Sequence, residues 1–98
     1  MNNTLTRIYL NHNLDSYIES IYAEFQPYSK RIVFGDDLEI NITDRILCKN
    51  DTPITIDSYV DIENKTYKVI SLNKWNDYME VYLYNLKRYV QRFGKVII

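Results

Sequence analysis

The clearest hydrophobic pattern in the chain lies over Leu38 to Cys48. Leu38, Ile40, Ile42, Ile46 and Cys48 fall on one side of an alternation that only Asp44 interrupts, and Glu39, Asn41, Thr43 and Arg45 fall on the other. A period of two with one dry and one wet face predicts an antiparallel strand. Thr4 to Leu10 is rich in strand formers and is closed by the turn residues Asn11, His12 and Asn13. The next stretch carries two periods at once. Leu14, Tyr17, Ile18, Ile21 and Tyr22 sit at helical spacing behind Asn13 as a candidate N-cap. Ile21, Ala23 and Phe25, however, alternate with Tyr22, Glu24 and Gln26. The alternation predicts a strand over Ile21 to Gln26 ended by Pro27, and leaves residues 14–20 open. Lys30 to Phe34 reads as a short separate strand, followed by a turn at Gly35-Asp36-Asp37.

Beyond the polar loop Lys49 to Pro53, the runs Ser58 to Ile62 and Thr66 to Leu72 flank Glu63-Asn64-Lys65. This is a hairpin pattern, with Asn64 as the residue that tolerates a positive φ. Trp75-Asn76-Asp77-Tyr78 is a second corner, and Met79 to Tyr84 returns as a strand. Short consecutive strands of this kind predict an all-β, mainly antiparallel domain, a small barrel or sandwich built as a meander. The last segment changes period. Leu86, Tyr89, Val90 and Phe93 form an apolar helical stripe, with Asn85 as cap and Gly94 at the C′ position. The predicted division is a barrel over 1–84 and a basic helical arm over 85–98.

Composition supports the β reading and removes most enzymes. The 98 residues hold thirteen isoleucines, ten tyrosines and a single alanine. Branched and aromatic side chains suit a pleated, half-buried surface. The Asn, Ile and Tyr bias is that of a low-GC coding genome. The two glycines, Gly35 and Gly94, lie too far apart for a phosphate-cradling loop. One cysteine and one histidine give neither an internal disulfide nor a Cys/His zinc site. The N-terminal stretch lacks the apolar core of a signal peptide and no run approaches a membrane span, so the expectation is a soluble product of a reducing cytoplasm.

Candidate chemistry is sparse. His12 stands without a partner in a polar turn, and Cys48 continues the dry face of a strand, where a thiol is a core residue rather than a nucleophile. Asp36-Asp37 and the pair Asp57 and Asp61 lack the regular ligand spacing of a metal loop. No catalytic residue, metal or cofactor is expected. The tyrosines fit interfaces and core better than nucleobase stacking, because the strand-rich body is acidic and a single-strand binder needs a basic groove.

The net charge of −1 is a cancellation. Lys87, Arg88, Arg92 and Lys95 are the only charged residues after Glu80, which gives the C-terminal stretch +4 and the rest of the chain −5. Fourteen residues from Asn85 can span up to roughly 46 Å when extended. The stretch can therefore reach a neighbouring copy, with Val96, Ile97 and Ile98 as an apolar anchor. Head-to-tail contacts of this kind build rings.

Ala23-Glu24-Phe25-Gln26-Pro27 resembles the Ala-x-apolar-Gln-Pro strand end of small phage head–tail connector proteins. In that group a glycine turn and a long strand follow, here Gly35 and Leu38 to Cys48, then a polar loop ending near Ile56-Asp57. A strand, a short turn and Tyr-x-Val leading to a tryptophan come next, here Tyr59 to Ile62, Glu63-Asn64-Lys65, Tyr67-Lys68-Val69 and Trp75. Ser58 and Asn64 stand where the family favours Gly-Asp and Gly, and the segment after Asn85 has no counterpart. The resemblance implies a head-closure (head-completion, stopper) subunit of a virion neck, made in the bacterial host cytoplasm, with Gln26, Pro27, Gly35, Tyr67, Val69 and Trp75 as structural positions. The implied partners are copies in a homo-oligomeric ring, a portal or adaptor above, a tail terminator or tail tube below, and packaged DNA passing without sequence-specific contact; no membrane is involved. Lys87, Arg88, Arg92, Lys95, Ile97 and Ile98 are the candidate interface arm. Lys49, Asn50, Asp51, Thr52 and Asp57 are the candidate channel- or tail-facing loop. The alternatives are a small β-barrel nucleic-acid-binding module and a tail terminator or tail-completion protein.

Overall fold

A computed structural model describes residues 4–34 and 38–86. Six strands form one antiparallel sheet: β1 (Thr4–Tyr9), β2 (Tyr17–Phe34), β3 (Leu38–Cys48), β4 (Tyr59–Ile62), β5 (Lys65–Lys74) and β6 (Met79–Leu86). Their spatial order is β1-β2-β3-β6-β5-β4, and β4 pairs back onto β1, so the sheet closes on itself. The expected all-β, mainly antiparallel fold, a small barrel or sandwich, is observed as a closed barrel, and closure removes the open edge where the strands pair around the ring.

The order departs from a meander at one place. β4, β5 and β6 follow one another, as do β1, β2 and β3, but β3 pairs with β6 rather than β4. The segment between β3 and β4 must therefore cross one end of the barrel. Its residues Thr52 and Ile54 are buried, and Ile54 joins the main core with Ile8, Ile46, Val60, Val69 and Leu83. Local turns hold the crossing. The Thr52 amide donates to the Lys49 carbonyl at 3.1 Å, and the Thr55 amide to Ser58 Oγ at 3.0 Å.

β2 also differs from its expected form. One strand of 18 residues replaces two short ones, and it runs through Pro27 instead of ending there. Two facts accommodate the proline. β1 pairs with β2 only as far as Ala23, so Pro27 has no ladder on that side among the described residues. A bulge between Pro27 and Lys30 absorbs the irregularity on the β3 side. Asn13 caps only a 3-10 turn, Leu14–Ser16, through its side-chain bond to the Asp15 amide, and the chain then enters β2 directly at Tyr17. No helix forms over residues 14–22, because the spacing that suggested one is spent on the two faces of a strand.

The β4–β5 corner is tighter than expected. Ile62 pairs with Lys65, so the loop is Glu63-Asn64 alone, with φ of 50° and 65°. Positive φ at both positions is the mirror-image turn that matches strand twist. The second corner, Trp75 to Tyr78, lies where the sequence puts it, closed by the Trp75 amide on the Tyr78 carbonyl at 2.8 Å. β6 runs two residues past its expected end. Asn85 does not cap a helix; its amide donates to Thr43 Oγ1 at 3.1 Å, and Leu86 is buried against Tyr59. The barrel thus extends to Leu86 rather than to residue 84. The rest of the expected arm, residues 87–98, and the Gly35-Asp36-Asp37 turn lie outside the described residues.

The β2–β3 hairpin outgrows the ring. β3 pairs with β6 only from Asp44 to Cys48, so Leu38 to Thr43 and their β2 partners extend beyond it. That extension lays Ile32, Ile40 and Ile42 over Ile70, Tyr82 and Tyr84 as a second apolar cluster on the outside. A bulge at Ile70 makes this possible. It leaves Val69 in the main core and turns Ile70 outward.

Candidate interaction surface

Outward-facing side chains of β2, β3 and β6 carry a connected polar chain. Arg45 is its centre. Its Nε donates to Gln26 Oε1 at 2.7 Å and its Nη1 to Glu80 Oε2 at 2.8 Å, while the guanidinium lies over the Tyr28 ring, 4.6 Å from its centroid. Gln26 donates onward to Glu24, and Glu80 Oε1 accepts from Trp75 Nε1 at 3.2 Å. The register explains the convergence. Gln26 stands opposite Arg45, and Glu80 stands opposite Leu47, diagonal to Arg45. The Arg45 and Glu80 side chains are mostly buried, so their charges attract each other with less screening than at an open surface. Two of the six structural positions named from the sequence, Gln26 and Trp75, are therefore parts of one network. Arg45 and Glu80, which link them, were not singled out, because only the β3–β6 register brings them together.

The other named positions separate. Tyr67 and Val69 are core residues, and the Tyr67 ring packs 5.9 Å from Phe25. Burial above all, helped by the nearby carboxylates of Asp44 and Glu63, pushes the Tyr67 hydroxyl up to about 12. Pro27 is exposed at the β2 bulge, and Gly35 lies outside the described residues. So do all six residues of the candidate arm, Lys87, Arg88, Arg92, Lys95, Ile97 and Ile98.

The loop expected to face a channel or a tail is a built crossing rather than a projecting tip. Asn50 Nδ2 donates to the Trp75 carbonyl at 3.0 Å and to the Asn76 carbonyl at 2.6 Å, tying the loop to the β5–β6 corner. Thr52 points inward and is buried, which removes it from any lumen-facing set. Lys49, Asp51 and Asp57 remain exposed. Asp57 takes φ 77°, and its carboxylate lies 3.7 Å from Lys68 Nζ.

Cys48 is in the main core, and its burial pushes the thiol up, against the thiolate a nucleophile needs. His12 is exposed, its ring 6.1 Å edge-on from Tyr59. Asp61 accepts from Thr66 Oγ1 at 2.9 Å across the β4–β5 pair. Among the described residues no three His, Cys, Asp or Glu side chains converge as a metal site.

Large apolar side chains also remain outside. Tyr22 is 69% exposed, and Tyr17, Ile18, Trp75 and Tyr78 are all well exposed. Tyr22 and Tyr78 wall an open groove of about 340 Å³ whose floor is Leu47 and Cys48. The Trp75 and Tyr78 rings lie 6.3 Å apart at its end. Exposed aromatics beside a rigid polar network are the composition of a protein-binding face. No family model matches this chain, and no curated protein or solved structure is significantly similar to it.

Proposed function

We propose that this chain is a structural subunit of the neck of a tailed phage or prophage, of the head-closure type. It packs as a ring below the portal or adaptor and offers the surface on which the tail docks. The observation that carries the reading is the set of exposed large apolar side chains on a closed barrel, Tyr17, Ile18, Tyr22, Trp75 and Tyr78 among them. Around the closed ring the strands present no free edge, so there side-chain faces must make the contacts. The ordered motifs shared with small connector proteins supply the setting, and the side-chain network on the outer face gives each subunit a fixed shape to present.

The test is co-assembly. The chain is expected to bind DNA-filled heads bearing the portal and to appear by electron microscopy as a ring beneath it. Binding to isolated tail tubes but not to heads would reassign it to the tail side of the joint. Tight, salt-sensitive binding to single-stranded DNA without binding to either particle would overturn the structural reading in favour of a nucleic-acid module.

A further inference from the structure

We infer that the groove between Tyr22 and Tyr78 receives residues 87–98 of a second copy of this chain. The contact concerns two copies and does not depend on the setting proposed above.

The groove has the chemistry of an acceptor for a basic, apolar segment. Its floor is Leu47 with the edge of Cys48, and its walls are two exposed tyrosines. Glu24 and Asp77 stand on the rim, with Lys49 as the one cation there. A larger depression of about 540 Å³ beyond Tyr22 adds Glu19 and Asp51. No salt bridge engages Asp77 or Glu24 among the described residues, and the ion pairs present are Arg31–Glu39, Arg45–Glu80 and Lys68–Asp57. Glu24 accepts a hydrogen bond from Gln26 but carries no ion pair among those residues, and aromatic walls beside carboxylates outside any ion pair favour lysine and arginine twice, through the ring faces and through charge.

Residues 87–98 carry the complementary set. They contain four basic residues and no acidic one, interleaved with Tyr89, Val90, Phe93, Val96, Ile97 and Ile98. Phe93 and the terminal aliphatic run are apolar enough for the floor, while Arg92 and Lys95 flank Phe93 and suit the rim.

The topology suits an intermolecular contact. β6 ends at Leu86, the last described residue, and the groove lies beside Tyr78 at the other end of that strand. Eight residues of strand separate the two by about 26 Å. Twelve residues span up to about 40 Å. A copy placed head to tail receives the segment without its doubling back along its own barrel. Exit and acceptor at opposite ends make a heterologous contact, which closes into a ring when the rotation permits.

A charge swap on the full chain tests this. The unaltered chain is expected to self-associate in sedimentation velocity at low salt. Glu24→Lys with Asp77→Lys in one chain, and Arg92→Glu with Lys95→Glu in another, are each expected to weaken self-association at least tenfold. Mixed one to one, the two altered chains should associate again, since each groove then meets a tail of opposite sign; this also shows that both are folded. Tyr22→Ala should weaken association without being rescued by the mixture. Trp75, the one tryptophan, lies beside Tyr78 and reports occupancy of the groove by its emission. An unaltered chain that stays monomeric, altered chains that associate normally, or a mixture that fails to recover would each overturn the assignment.

Discussion

The two halves of the β2–β3 hairpin have similar sequence patterns and different fates. In the proximal half, β3 from Asp44 to Cys48 is flanked by β2 on one side and β6 on the other. In the distal half, Leu38 to Thr43 pairs with β2 alone. Each half contributes to one arginine–glutamate pair, the proximal one through Arg45 to Glu80 on β6, and the pairs differ as their settings do. Arg45 and Glu80 meet at 2.8 Å with side chains 27% and 13% exposed, held by Gln26, Trp75 and Tyr28. Arg31 and Glu39 meet at 3.7 Å with side chains 67% and 50% exposed. Residue identity therefore does not set the worth of an ion pair. Burial and the partners on the neighbouring strand do.

The largest test of this contrast is a pair of core truncations. Ile46→Ala in the proximal half should cost about 3–4 kcal/mol, since Ile46 is fully buried in the main core and the closed ring resists collapse. Ile42→Ala should cost about 2 kcal/mol, because half-buried Ile40, Ile32 and Tyr28 around it can move inward. Urea unfolding gives both numbers. Hydrogen exchange sharpens them: Ile42→Ala should raise exchange mainly over residues 30–33 and 39–42, whereas Ile46→Ala should raise it throughout. Equal costs with uniform exchange would make the hairpin one cooperative unit. Next in size is Arg45→Met, expected to cost about 2 kcal/mol by leaving Glu80 half-stranded. Glu80→Gln in the same chain should recover part of the loss, and a double-mutant cycle measures how much.

Much of this architecture is legible in the sequence, and the parts that are not share a cause. β3 is readable to the residue, because a dry and a wet face alternate along it with Asp44 as the break on the dry side. The corners at Asn64 and Trp75 are readable because turns are local. The β3–β6 pairing is not, because nothing near Arg45 or Glu80 in the chain marks them as neighbours. The continuity of β2 through Pro27 is hidden for a related reason. A proline ends a strand only where its missing amide is needed, and that depends on where β1 stops. The second cluster is concealed too, since Ile42 and Ile46 share one alternation yet pack in different clusters. For the candidate surface, Gln26 and Trp75 could be named in advance, but the Arg45–Glu80 link and the Tyr22–Tyr78 groove required the register.

The pH response separates ring interior from hairpin extension. Tyr67 is buried in the barrel and its hydroxyl is held protonated up to about pH 12, against about 10 in the unfolded chain. A raised pKa means that the folded form keeps its proton longer. Its contribution is therefore complete below pH 10 and is lost as pH rises from 10 to 12. The urea midpoint should fall across that window, and Tyr67→Phe should flatten the fall. Tyr82, on the outer cluster, is also pushed up by burial but to a smaller extent, so Tyr82→Phe should change the slope less. A larger effect from Tyr82 would mean that the outer cluster is the drier of the two.

The smallest expected effect is at the exposed pair. Arg31→Ala removes an ion pair that water screens on both sides, and should change stability by less than about 0.5 kcal/mol. Added salt should screen away most of even that difference, whereas the Arg45→Met loss, sheltered from solvent, should persist to about 1 M salt. The measurement gains force from concentration. Within a single barrel nothing beyond Glu39 engages Arg31 among the described residues, so its cost must be the same in dilute and concentrated protein. A cost above about 1 kcal/mol that appears only as concentration rises would show that the distal half of the hairpin, with Val33 exposed beside it, is covered by a second copy in the assembled state.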